Sequence, residues 1–202
     1  MKHLRSFAFA VACAVFLSAC GVDTTGISAA SSKTPTGPAG ASVLVTEYGD
    51  FQCPACGSAY IVINKPFLAK YGDKVRMEFK NFPLRSIHEN AFEAAQAGEC
   101  AADQGRFWEF VDMDYINQAQ LSPAKLREWA AALKLDTALF ERCVSSGIKG
   151  DVIMAEEAAG EKLGVKGTPS YFVNGVRVPE NSIEALTAAV DAALKNAKSV
   201  PL

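Results

Sequence analysis

A mixed α/β fold, ordered βαβ, then a helical insertion of about 75 residues, then ββα, is what the hydrophobic periodicity of the sequence predicts. Three observations carry it. Two short strand-like runs flank a segment that opens on a proline, the stretch from His88 to Leu163 keeps helical spacing, and Asn174-Gly175 separates two further short apolar runs.

Residues 42–48 are rich in β-branched and aromatic side chains and stop at Gly49-Asp50, which reads as the first strand. Pro54 stands where a first helical turn begins, and apolar residues at helical spacing follow to about Tyr71, closed by Gly72-Asp73. Pro66 cannot donate to the carbonyl four residues back, so a kink or an early end is expected there. Residues 74–82 alternate Val75, Met77 and Phe79 with Arg76, Glu78 and Lys80, the period of a strand. The insertion, residues 85–165, reads as four or five helices broken at Gly105, at Leu121-Ser-Pro123, at Asp136-Thr137 and around Gly147 and Gly150. Leu126, Trp129, Ala130 and Leu133 mark a buried stripe behind a Ser122 cap with Pro123 in the first position. After Gly167-Thr-Pro169, residues 170–174 and 176–179 form a hairpin around Asn174-Gly175, the strongest two-residue turn signal. Ile183, Leu186, Val190 and Leu194 line a last amphipathic helix.

Composition bounds the function. The chain has 202 residues, 50% hydrophobic and 21% charged, which is globular and near the length of one domain. Twenty basic against 22 acidic residues, with no basic run, exclude a nucleic-acid interface.

Lys2 and Arg5 precede an uncharged apolar run over residues 6–19, the pattern of a secretory signal and too short to span a bilayer. That run ends Leu17-Ser18-Ala19-Cys20, which resembles the lipobox of bacterial lipoproteins and implies a signal peptide over 1–19 and a diacylglyceryl group on Cys20. The alternative is an ordinary signal peptide cut further along. Residues 20–40, dominated by Ser, Thr, Gly, Pro and Ala, read as a flexible tether, with the folded domain over 41–202. A lipid anchor of this kind holds the mildly acidic mature protein at a bacterial membrane, outside the cytoplasm.

Cys53-Pro-Ala-Cys56 falls just after a predicted strand and at a predicted helix N-terminus, where free N–H groups and the helix dipole stabilise a thiolate. The first cysteine is therefore expected to be acidic and reactive. Cysteines three apart can close on each other, so the pair can cycle between dithiol and disulfide. Gly57 stands where haem attachment needs a histidine, and a zinc site wants a second close pair, which Cys100 and Cys143 do not make. A permanent structural disulfide across the pair is the remaining bland reading. Cys100 and Cys143 lie in different predicted helices, Cys143 on a stripe with Phe140 and Val144. A structural disulfide between them is expected, closing a loop of about 44 residues worth about 4 kcal/mol in the chain-entropy treatment, with two buried free thiols as the alternative. Cys13 would leave with the signal peptide.

Glu47-Tyr-Gly-Asp-Phe-Gln-Cys-Pro-Ala-Cys56, Lys80-Asn-Phe-Pro-Leu84, Gln104-Gly-Arg-Phe-Trp108, Gly164-Val-Lys-Gly-Thr-Pro169 and Tyr171-Phe-Val-Asn-Gly175 together resemble a DsbA-like thiol:disulfide oxidoreductase of the thioredoxin fold, over residues 41–197. The resemblance implies Cys53 as the nucleophile, Cys56 as the resolving thiol and Thr168-Pro169 as a cis-proline loop facing them. It also implies no cofactor beyond the redox disulfide and no metal. Reduced or unfolded exported proteins become the substrates, and a membrane redox partner resets the pair. Glu47 matches the buried acid that moves protons for the resolving cysteine. Its strand face, shared with Val43 and Val45, is compatible with that, but so is an exposed strand end. Lys80 could pair with it, although a solvated strand lysine is the plainer reading; His88 reads as a surface residue near a helix start.

Strongly oxidising family members carry Pro-His between the cysteines; Ala55 implies a milder oxidant. Disulfide formation is the expected direction, with isomerase or reductase activity, or a non-catalytic peptide-binding chaperone, as alternatives. A copper chaperone is weak because His88 would be the one histidine of the mature chain. A monomer is expected, since no dimerisation segment precedes residue 41.

Overall fold

The computed structural model describes residues 22–198. Its strands are β1 (Leu44–Gly49), β2 (Arg76–Asn81), β3 (Ser170–Val173) and β4 (Val176–Arg177), joined in one sheet in the order β2-β1-β3-β4. Central β1 runs parallel to β2, placing Glu47 opposite Phe79, and antiparallel to β3, placing it opposite Tyr171. The β3-β4 turn needs two residues in the left-handed region, and Asn174 (φ 47°) and Gly175 (φ 80°) supply them.

Between β1 and β2 the chain forms α1 (Pro54–Ala59), a π-helical turn over Tyr60–Asn64, and α2 (Lys65–Tyr71). The sequence predicts a kink or stop at Pro66; the structure instead widens the helix just ahead of it. The Lys65 N–H donates to the Tyr60 carbonyl, five residues back. In a regular α-helix the Pro66 ring would press on the Val62 carbonyl, and the wide turn relieves that contact while the helix continues.

Helices α3 (Ala91–Ala102), α4 (Phe107–Asn117), α5 (Pro123–Ala132), α6 (Thr137–Ser146) and α7 (Gly150–Lys162) make the insertion, and α8 (Ile183–Lys198) closes the described chain. The caps act as the sequence implies: Ser122 accepts from the Lys125 N–H at 3.3 Å and Asp136 from that of Leu139 at 2.9 Å. Val45, Met77, Tyr171 and Val173 pack with Ile63, Phe67, Leu186 and Val190 in one core. A second core, built on Phe51, Phe79, Phe107, Phe110 and Phe140, joins the sheet to the insertion. None of the described helices is long and apolar enough to cross a membrane.

The packed chain begins earlier than Ala41, which corrects the reading of residues 20–40 as a free tether. Thr36 bridges Met77 on the β2 edge, and the Trp108 indole donates to the Thr34 carbonyl at 3.0 Å. Lys33 is the decisive residue. Its ammonium is buried 2.7 Å from both Glu99 and Glu156, over the rings of Phe79 and Phe107. Two buried carboxylates need a cation, and this segment brings it. The signal peptide (1–19), Cys13 and Cys20 lie outside the described residues.

Candidate active site

The loop after β1 is fixed by a carboxylate. Asp50 is buried; its Oδ1 accepts from the Gln52 N–H at 2.7 Å, and its Oδ2 accepts from the Leu84 N–H at 2.9 Å and lies 2.7 Å from Nδ1 of His88. His88 is thus a loop clamp, not the surface residue the sequence suggests. Gln118, at the end of α4, donates its amide to the carbonyls of Phe51 (2.7 Å) and Cys53 (2.9 Å). It fits there because residue 57 is glycine: a Cβ would come within 2.6 Å of its Oε1.

This loop delivers Cys53 as the N-cap residue of α1, with Pro54 in the first turn. Cys53 is 6% exposed, Cys56 is fully buried, and both are free thiols. Their acidities are pushed apart. The hydrogen bond from Cys56 brings the Cys53 thiol down to about 5 against the pull of burial, helped by the Thr168 side chain and the N–H groups of Cys56 and Ala55. Burial drives Cys56 well up, reinforced by its bond to Cys53 and the charge of Glu47. At neutral pH the pair therefore holds one proton, and it sits on Cys56.

Thr168-Pro169 is cis and packs over this pair, with Cys53 Sγ 3.4 Å from the Thr168 carbonyl oxygen. Asn181 steadies the loop by donating to the Pro169 carbonyl at 2.7 Å. Ala55, Ser58, Val62, Thr168, Pro169 and Asn181 line a groove of about 410 Å³ beside the sulfurs. Ile61 and Val62 leave apolar surface exposed on its flank.

Behind Cys56 lies Glu47, 1% exposed, so the structure selects the buried of its two readings. Burial raises its carboxyl to about 7, with Asn64 and Tyr171 pulling partway back. Lys80 is not its partner, because that side chain turns to Glu156 (3.4 Å) and Glu78 (3.7 Å). Sequence reasoning missed Asn64, Tyr171, Gln118 and the Asp50–His88 pair. Asn64 left one usable signal: an amide between Ile63 and Phe67 on a stripe that otherwise reads as core.

Cys100 and Cys143 are joined by a disulfide between α3 and α6, away from this site. Among the described residues no three His, Cys, Asp or Glu side chains cluster to hold a metal ion.

Comparison with known proteins agrees with this geometry. The sequence pattern of the thioredoxin family matches residues 31–192. The Na(+)/H(+) antiporter NhaA 1 of Salinispora arenicola is 40% identical over 167 residues, which is 82% of this chain and 25% of that protein, so the chain spans about a quarter of the curated relative it matches. A thioredoxin-like oxidoreductase from Silicibacter pomeroyi superposes with a TM-score of 0.67 at 26% identity, over 81% of this chain and 93% of that one. The α-DsbA1 of Wolbachia pipientis superposes with a TM-score of 0.68 at 21% identity, over 81% and 91%.

Proposed function

The chain belongs to the thioredoxin family, and from that premise we propose that it is a DsbA-like protein thiol:disulfide oxidoreductase, working outside the cytoplasm through Cys53 and Cys56. The observation that carries the reading is the asymmetry of the two sulfurs under the cis Thr168-Pro169 loop. A stabilised Cys53 thiolate lowers the free energy of the dithiol relative to the disulfide, which makes the disulfide an oxidant.

Atoms and electrons balance in two exchanges. A substrate thiolate attacks Cys53 Sγ of the oxidised protein; the mixed disulfide forms, the Cys53–Cys56 bond breaks, and Cys56 leaves with a proton from Glu47. A second substrate thiolate then attacks the substrate sulfur, completing the substrate disulfide and expelling Cys53 as thiolate. The substrate dithiol loses two electrons and the protein disulfide gains them. An unfolded exported chain fits the apolar groove at Val62, extended along the cis-proline loop. A membrane redox partner then re-oxidises the pair. The signal-like residues 1–19 and the lipobox cysteine Cys20 support export and lipid anchoring.

The test is oxidation of a reduced two-cysteine peptide by the oxidised full-length chain. We expect stoichiometric oxidation, none with Cys53→Ser, and an equilibrium potential against glutathione between about −270 and −120 mV, nearer the oxidising end. A potential at or below the thioredoxin value of about −270 mV would contradict the oxidative direction.

A further inference from the structure

One buried polar arrangement in the core joins the π turn to Glu47 and β3. Asn64 is 2% exposed. Its Nδ2 donates to Oε2 of Glu47 at 2.7 Å, and its Oδ1 accepts from the Tyr171 hydroxyl at 2.7 Å, so the phenol fixes which end of the amide faces the carboxyl. Oε1 of Glu47 is buried with no hydrogen-bond partner.

The π-helical turn explains how Asn64 reaches that place. On an uninterrupted α-helix, eight residues after Cys56, it would lie about 80° round the helix from the cysteine. A turn of about 4.4 residues over Tyr60–Asn64 brings it back to within about 10° of the Cys56 azimuth. The helix irregularity and the amide are thus one device, and π turns of this kind recur at functional sites.

We infer that Asn64, oriented by Tyr171, is a positioning residue for the proton step at Cys56: it grips Oε2 of Glu47 and leaves Oε1 as the oxygen that exchanges the proton. The inference rests on the proposed resolving role of Cys56. In the step, the proton on Oε1 passes to the departing Cys56 sulfur, which feels the Glu47 charge without a hydrogen bond to it in the resting structure, and Glu47 becomes a carboxylate. The Asn64 N–H bond is worth most to that charged form, so it eases the transfer. The other titratable groups whose charge bears on Glu47 are Cys56 on α1, Tyr60 on the π turn, Tyr115 on α4 and Tyr171 on β3; β2 contributes none, since Glu78 and Lys80 pair with each other and Glu156. Among the described residues no cation offsets the carboxylate, and the amide, with the Tyr171 hydroxyl behind it, is its polar hold.

The experiment is infrared difference spectroscopy of the full-length reduced chain across pH, following the carboxyl band that Glu47→Gln removes. The wild-type midpoint is expected near 7, as burial sets it. Asn64→Ala is expected to raise it by about one to two pH units, and the midpoint of the peptide-oxidation profile with it. Tyr171→Phe is expected to raise it by less, and Asn64→Gln to restore part of the shift. If Asn64→Ala fails to fold, Tyr171→Phe decides alone: an upward shift supports the inference and an unmoved midpoint overturns it. An unmoved Asn64→Ala midpoint, beside a Glu47→Gln chain that loses the pH profile, overturns the inference and leaves the reading of Glu47 intact. A Glu47→Gln chain with the wild-type profile overturns both.

Discussion

Two sulfurs, three residues apart, differ because of what faces each one. The Cys56 thiol first, and then Thr168 and the N–H groups at the start of α1, favour the Cys53 thiolate, whereas burial and the charge of Glu47 disfavour that of Cys56. Replacing Cys56 by Ala removes the largest of the forces on Cys53. The pH midpoint of Cys53 alkylation should therefore climb from about 5 toward 9, stopping short because the helix N–H groups and Thr168 remain. Glu47 yields a prediction of stability. Its folded value of about 7 lies above the ordinary 4.5, so the folded state binds its proton more tightly, and that stabilisation is full below 4.5 and lost as pH rises toward 7. Glu47→Gln should accordingly gain on the wild type between pH 4 and pH 8 by about 3 kcal/mol at most, read from urea unfolding at each pH. Equal unfolding midpoints at both pH values would show that Glu47 ionises freely.

Elements were legible where one local rule decided them. The alternation of Val75, Met77 and Phe79 gave β2, Ser122-Pro123 gave the start of α5, and Asn174-Gly175 gave the hairpin, each needing neighbours within a few residues. The placement of Cys53 and Cys56 at the start of α1, beside a cis Thr168-Pro169 loop, was legible for another reason, since spacing and family likeness both point there. What stayed hidden depended on distant partners. Asp50 and His88 are 38 residues apart, and Asn64 and Tyr171 are 107 apart, so no window along the chain joins them. Lys33 is the clearest case: a lone lysine among Ser, Thr and Pro reads as solvated, and only the fold shows Glu99 and Glu156 waiting for it. Lys33→Met should cost about 3 to 5 kcal/mol in denaturant unfolding, because it takes the cation from buried Glu99 and leaves Glu156 to the more distant Lys80 at 3.4 Å. Adding Glu99→Gln and Glu156→Gln to that variant should recover much of the loss. If Cys20 carries lipid, the packed strap at residues 30–36 also leaves less free chain to the membrane than a tether of about 20 residues would.

The molecule as a whole is a four-stranded sheet whose central strand ends at the chemistry, with a helical insertion covering one side of it. The Cys100–Cys143 disulfide staples α3 to α6 inside that cover, in the core that also holds Ala97, Phe110 and Phe140. Replacing both cysteines by Ala should lower stability by about 2 to 4 kcal/mol while peptide oxidation by Cys53 persists; loss of activity in a folded variant would mean that the cover shapes the site. Sheet, cover and cis-proline loop converge on one electrostatic outcome, a sulfur at position 53 that is charged when the cell is near neutral. Ultraviolet titration of the thiolate in the reduced full-length chain measures it directly. Absorption from one thiolate is expected to appear with a midpoint near 5, and Cys53→Ser is expected to abolish it. A single midpoint in the ordinary thiol range, about 8.5, would contradict that charge and the exchange chemistry built on it.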